Sequence, residues 1–210
     1  MLPFSLAAGL SCPTHADLAA ALAAEFHPVD ERAVDDALDA LAVSLADARG
    51  ASALDQLDEL ASTMSVFESW PAPLDARAVH VDLALERLAG HPTALAVIGA
   101  EAARRAGLDL AVAASGAHHV VAHRGHGVLV AYDPATAALR RVRPGVAAPT
   151  WRCSHQVAFA LLGEHLDRAL RAGDIAGALR AAELRLELPV DGGTRARLLA
   201  EQDALRARLN

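Results

Sequence analysis

Lysine is absent from this chain of 210 residues, and aromatic residues and cysteines are scarce. All 19 basic side chains are arginine, which indicates codon usage rather than a functional demand for guanidinium groups. Aromatic residues make up 3% of the chain although 53% of it is hydrophobic, so small aliphatic side chains must fill the core. Such a composition favours closely packed helices.

The chain also lacks the features of disulfide-rich, zinc-finger and membrane-spanning proteins. Its two cysteines, Cys12 and Cys153, show no spacing typical of a disulfide framework or a zinc site, so a reducing compartment is expected. No run of about eighteen apolar residues occurs, which argues against a spanning helix. The opening segment 1–12 has no basic region of the kind that begins a secretory signal, and we therefore predict a cytoplasmic protein.

The net charge of -7 is unevenly distributed along the sequence. Residues 1–90 contain 15 acidic side chains and 4 arginines, whereas residues 91–150 contain 3 acidic side chains and 6 arginines. The acidic front half would repel phosphates, and no basic stripe elsewhere compensates. The sequence therefore argues against a nucleic-acid partner.

Helical periodicity dominates the first 75 residues. Apolar residues recur every third or fourth position in 14–26, 30–48 and 52–64, which predicts three amphipathic helices. Thr14 is a predicted N-cap, Gly50 a predicted helix stop, and Leu54 a predicted core residue. The proline-containing stretch 66–75 is interpreted as a loop or domain joint.

The period changes from helical to strand-like in the middle of the chain. A helix is predicted from Pro92 to Arg105, since proline is well accommodated in a first helical turn. On this helix we expect Glu101 to form ion pairs with Arg104 and Arg105 on the solvated surface. The runs 110–114, 118–124 and 128–132 then alternate with period two, which predicts a small antiparallel sheet.

A proline- and glycine-containing connector at 143–149 precedes an all-helical tail. Helices are predicted over 154–172, 175–188 and 194–209. The predicted organisation is an N-terminal helical region at 1–75, a core at 76–150 and a helical tail at 151–210. The predicted fold class is α+β and mostly helical.

Three short motifs resemble the transglutaminase-like superfamily. Residues 90–95 read Gly-His-Pro-Thr-Ala-Leu, residues 116–121 read Gly-Ala-His-His-Val-Val, and residues 132–134 read Tyr-Asp-Pro. That superfamily places a cysteine at a helix start, a histidine on a strand and an aspartate on the next strand. The resemblance implies a papain-like core, with one central helix on a small antiparallel sheet. In this register Pro92 occupies the cysteine position, and His118 and Asp133 match the other two positions.

The closer resemblance is to the SirB family, a branch of that superfamily with an N-terminal helical region and a tetratricopeptide-type tail. Its nucleophile helix typically reads Gly-Asn-Pro-Ile-Ser/Thr-Leu, so proline in place of cysteine is typical of the branch, and His91 replaces asparagine here. The segment 171–179 resembles the turn and second helix of a tetratricopeptide repeat. The tail has room for about one repeat and must therefore pack on the core.

Proline has no nucleophilic side chain, so acyl transfer by a cysteine at position 92 is excluded. Thr93 is interpreted as a residue that caps or packs the first turn, with a nucleophilic hydroxyl as the less favoured alternative. Cys153 is interpreted as a small buried hydrophobe, with a functional thiol near Arg152 and His155 as the alternative.

The remaining candidates are the residues that would surround the start of this helix. His118 and Asp133 form a residual dyad in the predicted site, which either lines a groove or only pins two strands together. The predicted ligand-binding residues are His91, Thr93, Ser115 and His119. Strand alternation places His119 and His123 on one face, but no complete ligand set is recognisable, and we predict neither a metal nor a cofactor.

Two functions remain open at this point. The first is a catalytically deficient transglutaminase-like protein that binds a protein or peptide, either in the relict cleft or between core and tail. The second is a hydrolase or other enzyme that reuses His118 and Asp133, with His91 or a metal ion assisting. A pocket at the start of the Pro92 helix would favour the enzyme, whereas an open groove would favour binding.

Overall fold

The computed structural model describes residues 2–70, 74–115, 118–126, 130–141 and 150–208. The fold is α+β and mostly helical, as predicted. Nine α-helices lie in the described residues. They are α1 Phe4–Ala8, α2 His15–Ala24, α3 Glu31–Ser44, α4 Ala53–Met64, α5 Val81–Arg87, α6 Pro92–Arg105, α7 Ser154–Ala172, α8 Ile175–Glu187 and α9 Gly192–Ala207.

Two sheets are present in the described residues. The strands are β1 Glu68–Ser69, β2 Ala89–Gly90, β3 Leu110–Ser115, β4 His118–His123, β5 Val130–Asp133, β6 Ala138–Arg141 and β7 Thr150–Trp151. β1 and β2 form a short parallel pair. The larger sheet has the order β6-β5-β4-β3-β7, and all its neighbouring strands are antiparallel. The predicted antiparallel sheet is therefore confirmed.

Polar N-caps fix the starts of the predicted helices. Thr14, Asp30 and Ser52 each accept a hydrogen bond from the backbone N–H three residues later, at 3.0, 3.1 and 3.3 Å respectively. These bonds satisfy donors that a helix start would otherwise leave unpaired. Gly107, just after the C-terminus of α6, adopts a φ of 77°, a left-handed conformation that costs glycine little.

Helix α6 is the centre of the structure. Its residues from Thr93 to Ala103 are all buried, and it packs on one face of the β3–β4 pair. Val112, Val121 and Tyr132 on that face join a single hydrophobic cluster that extends from Phe4 to Leu205. Ala113, Val120, Ala122 and Ala131 form a separate small cluster on the opposite face. A side chain of this sheet therefore lies either on the face that packs against α6 or on the face of the small separate cluster.

Several sequence-based expectations need correction. The helix predicted over 30–48 ends at Ser44 and is followed by a short 3-10 turn, Ala46–Ala48, before Gly50. Leu54 is 50% exposed rather than buried. Helix α1 and strands β6 and β7 were not predicted, and the predicted connector at 143–149 lies outside the described residues.

The charged end of α6 is also not the solvated surface that was expected. Glu101 is only 3% exposed, and both predicted ion pairs form, with Arg104 at 2.6 Å and Arg105 at 3.0 Å. Arg105 also reaches Asp35 at 2.7 Å and Asp39 at 2.8 Å on α3. The guanidinium thus links a buried carboxylate to a second helix, a tertiary contact that periodicity alone does not reveal.

None of the helices in the described residues combines the length and apolar character needed to cross a lipid bilayer.

Candidate functional site

The start of α6 is built around a histidine cap and a proline. Pro92 is the first helical residue, where its missing N–H leaves no hydrogen bond unmade. His91 precedes it as the N-cap, and its Nδ1 accepts a hydrogen bond from the Thr93 backbone N–H at 3.3 Å. Nδ1 of His91 therefore carries a free lone pair, and the proton of the neutral ring is on Nε2.

Burial determines the charge of His91. Burial, reinforced by the nearby charge of Arg168, lowers the pKa of His91 to about 4. Nε2 of His91 lies 3.4 Å from a carboxylate oxygen of Glu164 on α7, a separation that would count as an ion pair if the ring were protonated. Because the low pKa keeps the ring neutral at pH 7, we interpret this contact as a polar approach between a neutral N–H and a carboxylate.

Thr93 connects α6 to the sheet. Its hydroxyl Oγ1 lies 3.1 Å from Nδ1 of His119 on β4, and the Thr93 side chain is buried. Burial, followed by the charge of Arg152, lowers the pKa of His119. The surroundings of the histidine that faces the start of α6 thus favour its neutral form, and the ring is placed to exchange a hydrogen bond with a hydroxyl.

The sheet faces explain why His119 rather than His118 occupies this place. His119 shares a strand face with Val121, which packs against α6, whereas His118 shares the opposite face with Val120. The alternation predicted for this strand is therefore observed. His118 is exposed and stands at the end of β4, paired with Ser115 of β3 in the sheet register.

The predicted dyad of His118 and Asp133 is not formed by a hydrogen bond or an ion pair in the described residues. The register pairs Val121 with Tyr132, so its continuation places Val120 opposite Asp133. Both members of the expected dyad lie on the sheet face that points away from α6. The carboxylate therefore cannot orient an imidazole at the start of that helix in this structure.

Asp133 instead has partners in its own hairpin. Its side chain accepts hydrogen bonds from the Ala135 backbone N–H at 3.0 Å and from Arg140 at 3.3 Å, and its carbonyl oxygen accepts one from the Thr136 backbone N–H at 3.1 Å. Asp133 is 2% exposed. These contacts stabilise the turn between β5 and β6 without His118, so the hydrogen bond that was expected to pin the two strands together is not observed among the described residues.

A groove of about 600 Å³ opens where the sheet meets the C-terminal helices. Polar and basic side chains from the sheet end and the first turn of α7 form part of its lining. They are His118, His119, Arg152, His155 and Gln156. The rest of the lining is mainly apolar and comes from the second turn of α7 and the connection between α8 and α9. It comprises Phe159, Ala160, Leu188, Pro189 and Val190, with Asp191 and Thr194 at its end.

The backbone around Arg152, which lines the groove, is held in place from two sides. The backbone N–H of Arg152 donates to the carbonyl oxygen of Val112 at 3.1 Å, and its own carbonyl oxygen accepts from His15 Nε2 at 3.0 Å. His155 donates from Nε2 to the carbonyl oxygen of Ala8 at 3.0 Å. These bonds join β3, α1 and α2 to the start of α7 and so fix the position of this part of the groove.

Cys153 corrects another expectation. Its thiol is free and the residue is exposed, at the N-cap of α7 and on the groove wall, rather than buried as a small hydrophobe. Its backbone N–H donates to the side-chain oxygen of Gln156 at 3.2 Å.

Among the described residues, one group has the number and spacing of ligands for a metal ion, and it lies outside the groove. It consists of His27, His80 and Asp82. None of the three was predicted from the sequence, since they belong to no recognisable motif. Glu164 and the segment 188–190 were missed for a similar reason, because only tertiary packing brings them beside the central sheet.

No family model, curated protein or solved structure matches this chain. The functional interpretation therefore depends on the residues and their geometry.

Proposed function

We propose that this chain is a catalytically deficient transglutaminase-like protein, similar to the SirB family, that binds a peptide segment of a partner protein. The peptide would occupy the groove between the sheet and the C-terminal helices. The papain-like interpretation of the core is supported by α6, which packs on an antiparallel sheet with its first turn against His119. Pro92 at the start of α6 supplies no nucleophile, which supports binding over acyl transfer.

The observation that carries this proposal is the asymmetry of the groove. Arg152 and three histidines contribute the polar part of its lining, whereas the remainder is mostly aliphatic and aromatic. Arg152 brings a positive charge to this groove in a protein whose net charge is -7. A guanidinium recognises carboxylates through charge-assisted hydrogen bonds. We therefore assign the groove to a peptide with an acidic side chain or a terminal carboxylate next to an apolar residue.

The open shape of the groove favours a short peptide segment over an enclosed small molecule. Its volume lies within the usual range for ligand sites, but it is an open groove rather than an enclosed pocket. Apolar contacts from Phe159 and Leu188 would supply affinity, while Arg152 would select the anionic group. Peptide recognition commonly divides affinity and specificity in this way.

Selection from a random phage-displayed peptide library on the untagged full chain tests the proposal. We expect the enriched peptides to contain Asp, Glu or a free C-terminal carboxylate beside an apolar residue. Arg152→Gln should weaken a selected synthetic peptide about tenfold or more, a loss typical of one charged hydrogen-bonding partner. Arg140→Gln, on the far edge strand β6, is the matched control and should leave affinity unchanged. No enrichment, or equal affinities in both variants, would contradict the proposal.

A second candidate function is an esterase-type hydrolase, favoured by the 3.1 Å contact between Thr93 Oγ1 and His119 Nδ1. His119 would take the hydroxyl proton as Thr93 attacks an ester carbonyl, and would return that proton to the departing alcohol. Water activated by His119 would then hydrolyse the acyl-threonine. In the described residues no carboxylate hydrogen bonds to His119, and Thr93 is only 4% exposed, so we rank this function second.

Ester hydrolysis distinguishes the second function from the first. If Thr93 and His119 form a working pair, p-nitrophenyl acetate turnover should fall to background in Thr93→Ala and in His119→Gln. His118→Gln, on the opposite strand face, should retain that turnover. Turnover equal to background in the wild type would remove this candidate and leave the binding proposal intact.

A further inference from the structure

Four aromatic rings stack where the end of α2 meets α5 and α7. The ring of Phe26 lies 3.9 Å from that of His165 and 5.3 Å from that of His80, measured between centroids. His80 lies 5.1 Å from His165 and 4.9 Å from His27. Asp82, in the first turn of α5, contacts the outer ring of His27. Three imidazoles and a carboxylate are thus concentrated away from the peptide groove.

Hydrogen bonds fix which nitrogen of His80 carries the proton. His165 hydrogen bonds to the backbone of Ala76, and its Nδ1 lies 3.1 Å from Nε2 of His80. A neutral imidazole has one N–H, so His165 donates to the Ala76 carbonyl and accepts at Nδ1. His80 must then donate from Nε2, which leaves its Nδ1 as a bare lone pair. A metal-binding histidine is typically oriented in this way, with its second nitrogen donating to a fixed partner.

The same logic applies to His27. Its Nε2 lies 2.6 Å from Oδ2 of Asp82, a distance typical of donation to a carboxylate. In the neutral form of His27, Nδ1 then has a free lone pair as well. An unprotonated imidazole nitrogen is the form that coordinates a metal ion.

Three buried atoms in this group lack a hydrogen-bond partner among the described residues. They are Nδ1 of His27, Nδ1 of His80 and Oδ1 of Asp82. His80 is 1% exposed, so its unpartnered nitrogen is far from bulk solvent. Buried polar atoms without partners are rare in folded proteins and call for an explanation. Here the three atoms belong to three neighbouring residues, and in the tautomers described above all three are acceptors.

The spacing of these residues fits one cation. One possible ligand atom from each of His27, His80 and Asp82 lies within 4.8 Å of the other two. We propose that these three residues bind a divalent transition-metal ion, with Zn²⁺ as the best match. Two imidazoles and one carboxylate form a ligand set that zinc sites commonly use, with water as a fourth ligand.

Closing this ligand set requires Asp82 to release Nε2 of His27, because one carboxylate cannot accept from Nε2 and also reach an ion bound to Nδ1 of the same ring. Donor atoms about 2.0–2.2 Å from a tetrahedral zinc ion lie roughly 3.4 Å apart. The side chains of His27 and Asp82 are 18% and 11% exposed and can adjust, while the buried His80 supplies the fixed position. Burial, followed by the charge of His165, lowers the pKa of His80 to about 2, so its ring is neutral at pH 7.

Cavities on two sides give the ion a route to this site. One, of about 270 Å³, is lined by His27, His80 and His165 together with Asp75 and Asp174. The other, of about 490 Å³, is lined by His27 and Asp82. Either cavity has room for a water ligand. Because His27 follows α2 and His80 precedes α5, a bound ion would join the N-terminal helices to the core.

Titration of chelator-treated, untagged full chain with Co²⁺ and Zn²⁺ tests the site. Co²⁺ should give visible absorption that saturates at one equivalent and is displaced by Zn²⁺, and Zn²⁺ should raise the Tm. Asp82→Asn and His27→Gln preserve side-chain size and should each weaken Zn²⁺ binding by about 100-fold or more. His123→Gln, at the end of β4 and outside this group of residues, is the matched control and should bind as the wild type does.

Three results would overturn the proposal. One is the absence of saturable Co²⁺ absorption in the wild type, which would mean that water satisfies the three acceptors. Another is unchanged Zn²⁺ affinity in both Asp82→Asn and His27→Gln. The third is loss of binding in His123→Gln, which would assign the ion to surface histidines. Circular dichroism and the Tm of each variant in chelator separate loss of the site from loss of the fold.

Discussion

Thr93 and His119 meet across the junction of α6 and β4, with the threonine hydroxyl 3.1 Å from Nδ1 of the imidazole. On each element the contact is formed by the neighbour of the residue expected from the sequence. Thr93 follows Pro92 on α6, and His119 follows His118 on β4. The residues at the family positions behave differently, because Pro92 begins the helix and His118 is exposed at the strand end. The contact between α6 and β4 therefore involves neither of those two residues, and we interpret it first as a structural bond.

Thr93→Val should lower the free energy of unfolding by about 1–3 kcal/mol, because it removes a hydrogen bond and leaves His119 Nδ1 without that partner. Thr93→Ser keeps the hydroxyl and should lose less than about 1 kcal/mol. Urea unfolding at pH 7.5 measures both values. Equal losses in the two variants would show that the methyl group, rather than the hydroxyl, is the stabilising part of this side chain.

The low pKa of His91 predicts a stability that falls in mild acid. The unfolded chain protonates this ring near its ordinary value of 6.5, whereas the folded protein does so only near 4. Between these pH values the unfolded state binds more protons, so stability is complete above pH 6.5 and decreases as the pH falls towards 4. A shift of this size corresponds to roughly 3 kcal/mol of stability.

His91→Asn isolates this contribution from that of other buried histidines, since asparagine is also a good N-cap. Urea unfolding of wild type and variant at pH 7.5 and pH 4.5 gives the comparison. The wild type should lose more stability than the variant between the two pH values. Parallel losses would mean that His91 does not titrate as its burial requires.

Arg105 should be the most sensitive charged residue of α6. Arg105→Met removes contacts with Glu101, Asp35 and Asp39 and should cost about 2 kcal/mol, since it breaks charged hydrogen bonds to a second helix although Glu101 keeps its bonds to Arg104. Arg104→Met is the matched control, because the Arg104 side chain is 58% exposed and Glu101 keeps its bond to Arg105. That variant should lose less than about 1 kcal/mol by the same unfolding measurement. Similar losses would argue that the link to α3 adds nothing.

Introducing a cysteine at position 92 should not create a transglutaminase-type enzyme. A Pro92→Cys thiol would lie at the start of α6, where the helix end lowers a thiol pKa. Asp133 nevertheless lies on the opposite face of the sheet, where it holds the β5–β6 turn, so no carboxylate would orient His119. In a background with Cys12→Ser and Cys153→Ser, we expect iodoacetamide labelling of Pro92→Cys but no amide turnover. Turnover above the parent would place a working triad where we find none.

Much of the helical structure was predictable because local residues determine it. Thr14 and Ser52 cap their helices as expected, and the period of the apolar residues fixes the buried sides. Helix α1 escaped prediction because it is short and Pro3, at its N-cap, supplies no side-chain hydrogen bond. Strand β6 escaped for another reason, since its residues are largely exposed and show no alternation.

The site was harder to predict than the fold. Two adjacent histidines occupy β4, and both faces of that strand are buried further along, at Val120 and Val121. Alternation shows that the two imidazoles diverge, but it cannot say which one faces α6. Arg152 and Leu188 are separated by more than thirty residues, and only the packing of α7 and α8 brings them to one groove.

Peptide binding in that groove can be measured directly with Trp151, one of two tryptophans, which precedes Arg152 and is 40% exposed. Trp70→Phe makes it the sole reporter, and a selected acidic peptide should produce a saturable change in its emission. Adding Arg152→Gln should weaken that binding about tenfold or more, whereas adding Arg140→Gln should not. Peptide binding detected by calorimetry without any change at Trp151, or equal affinity after Arg152→Gln, would show that the partner binds elsewhere.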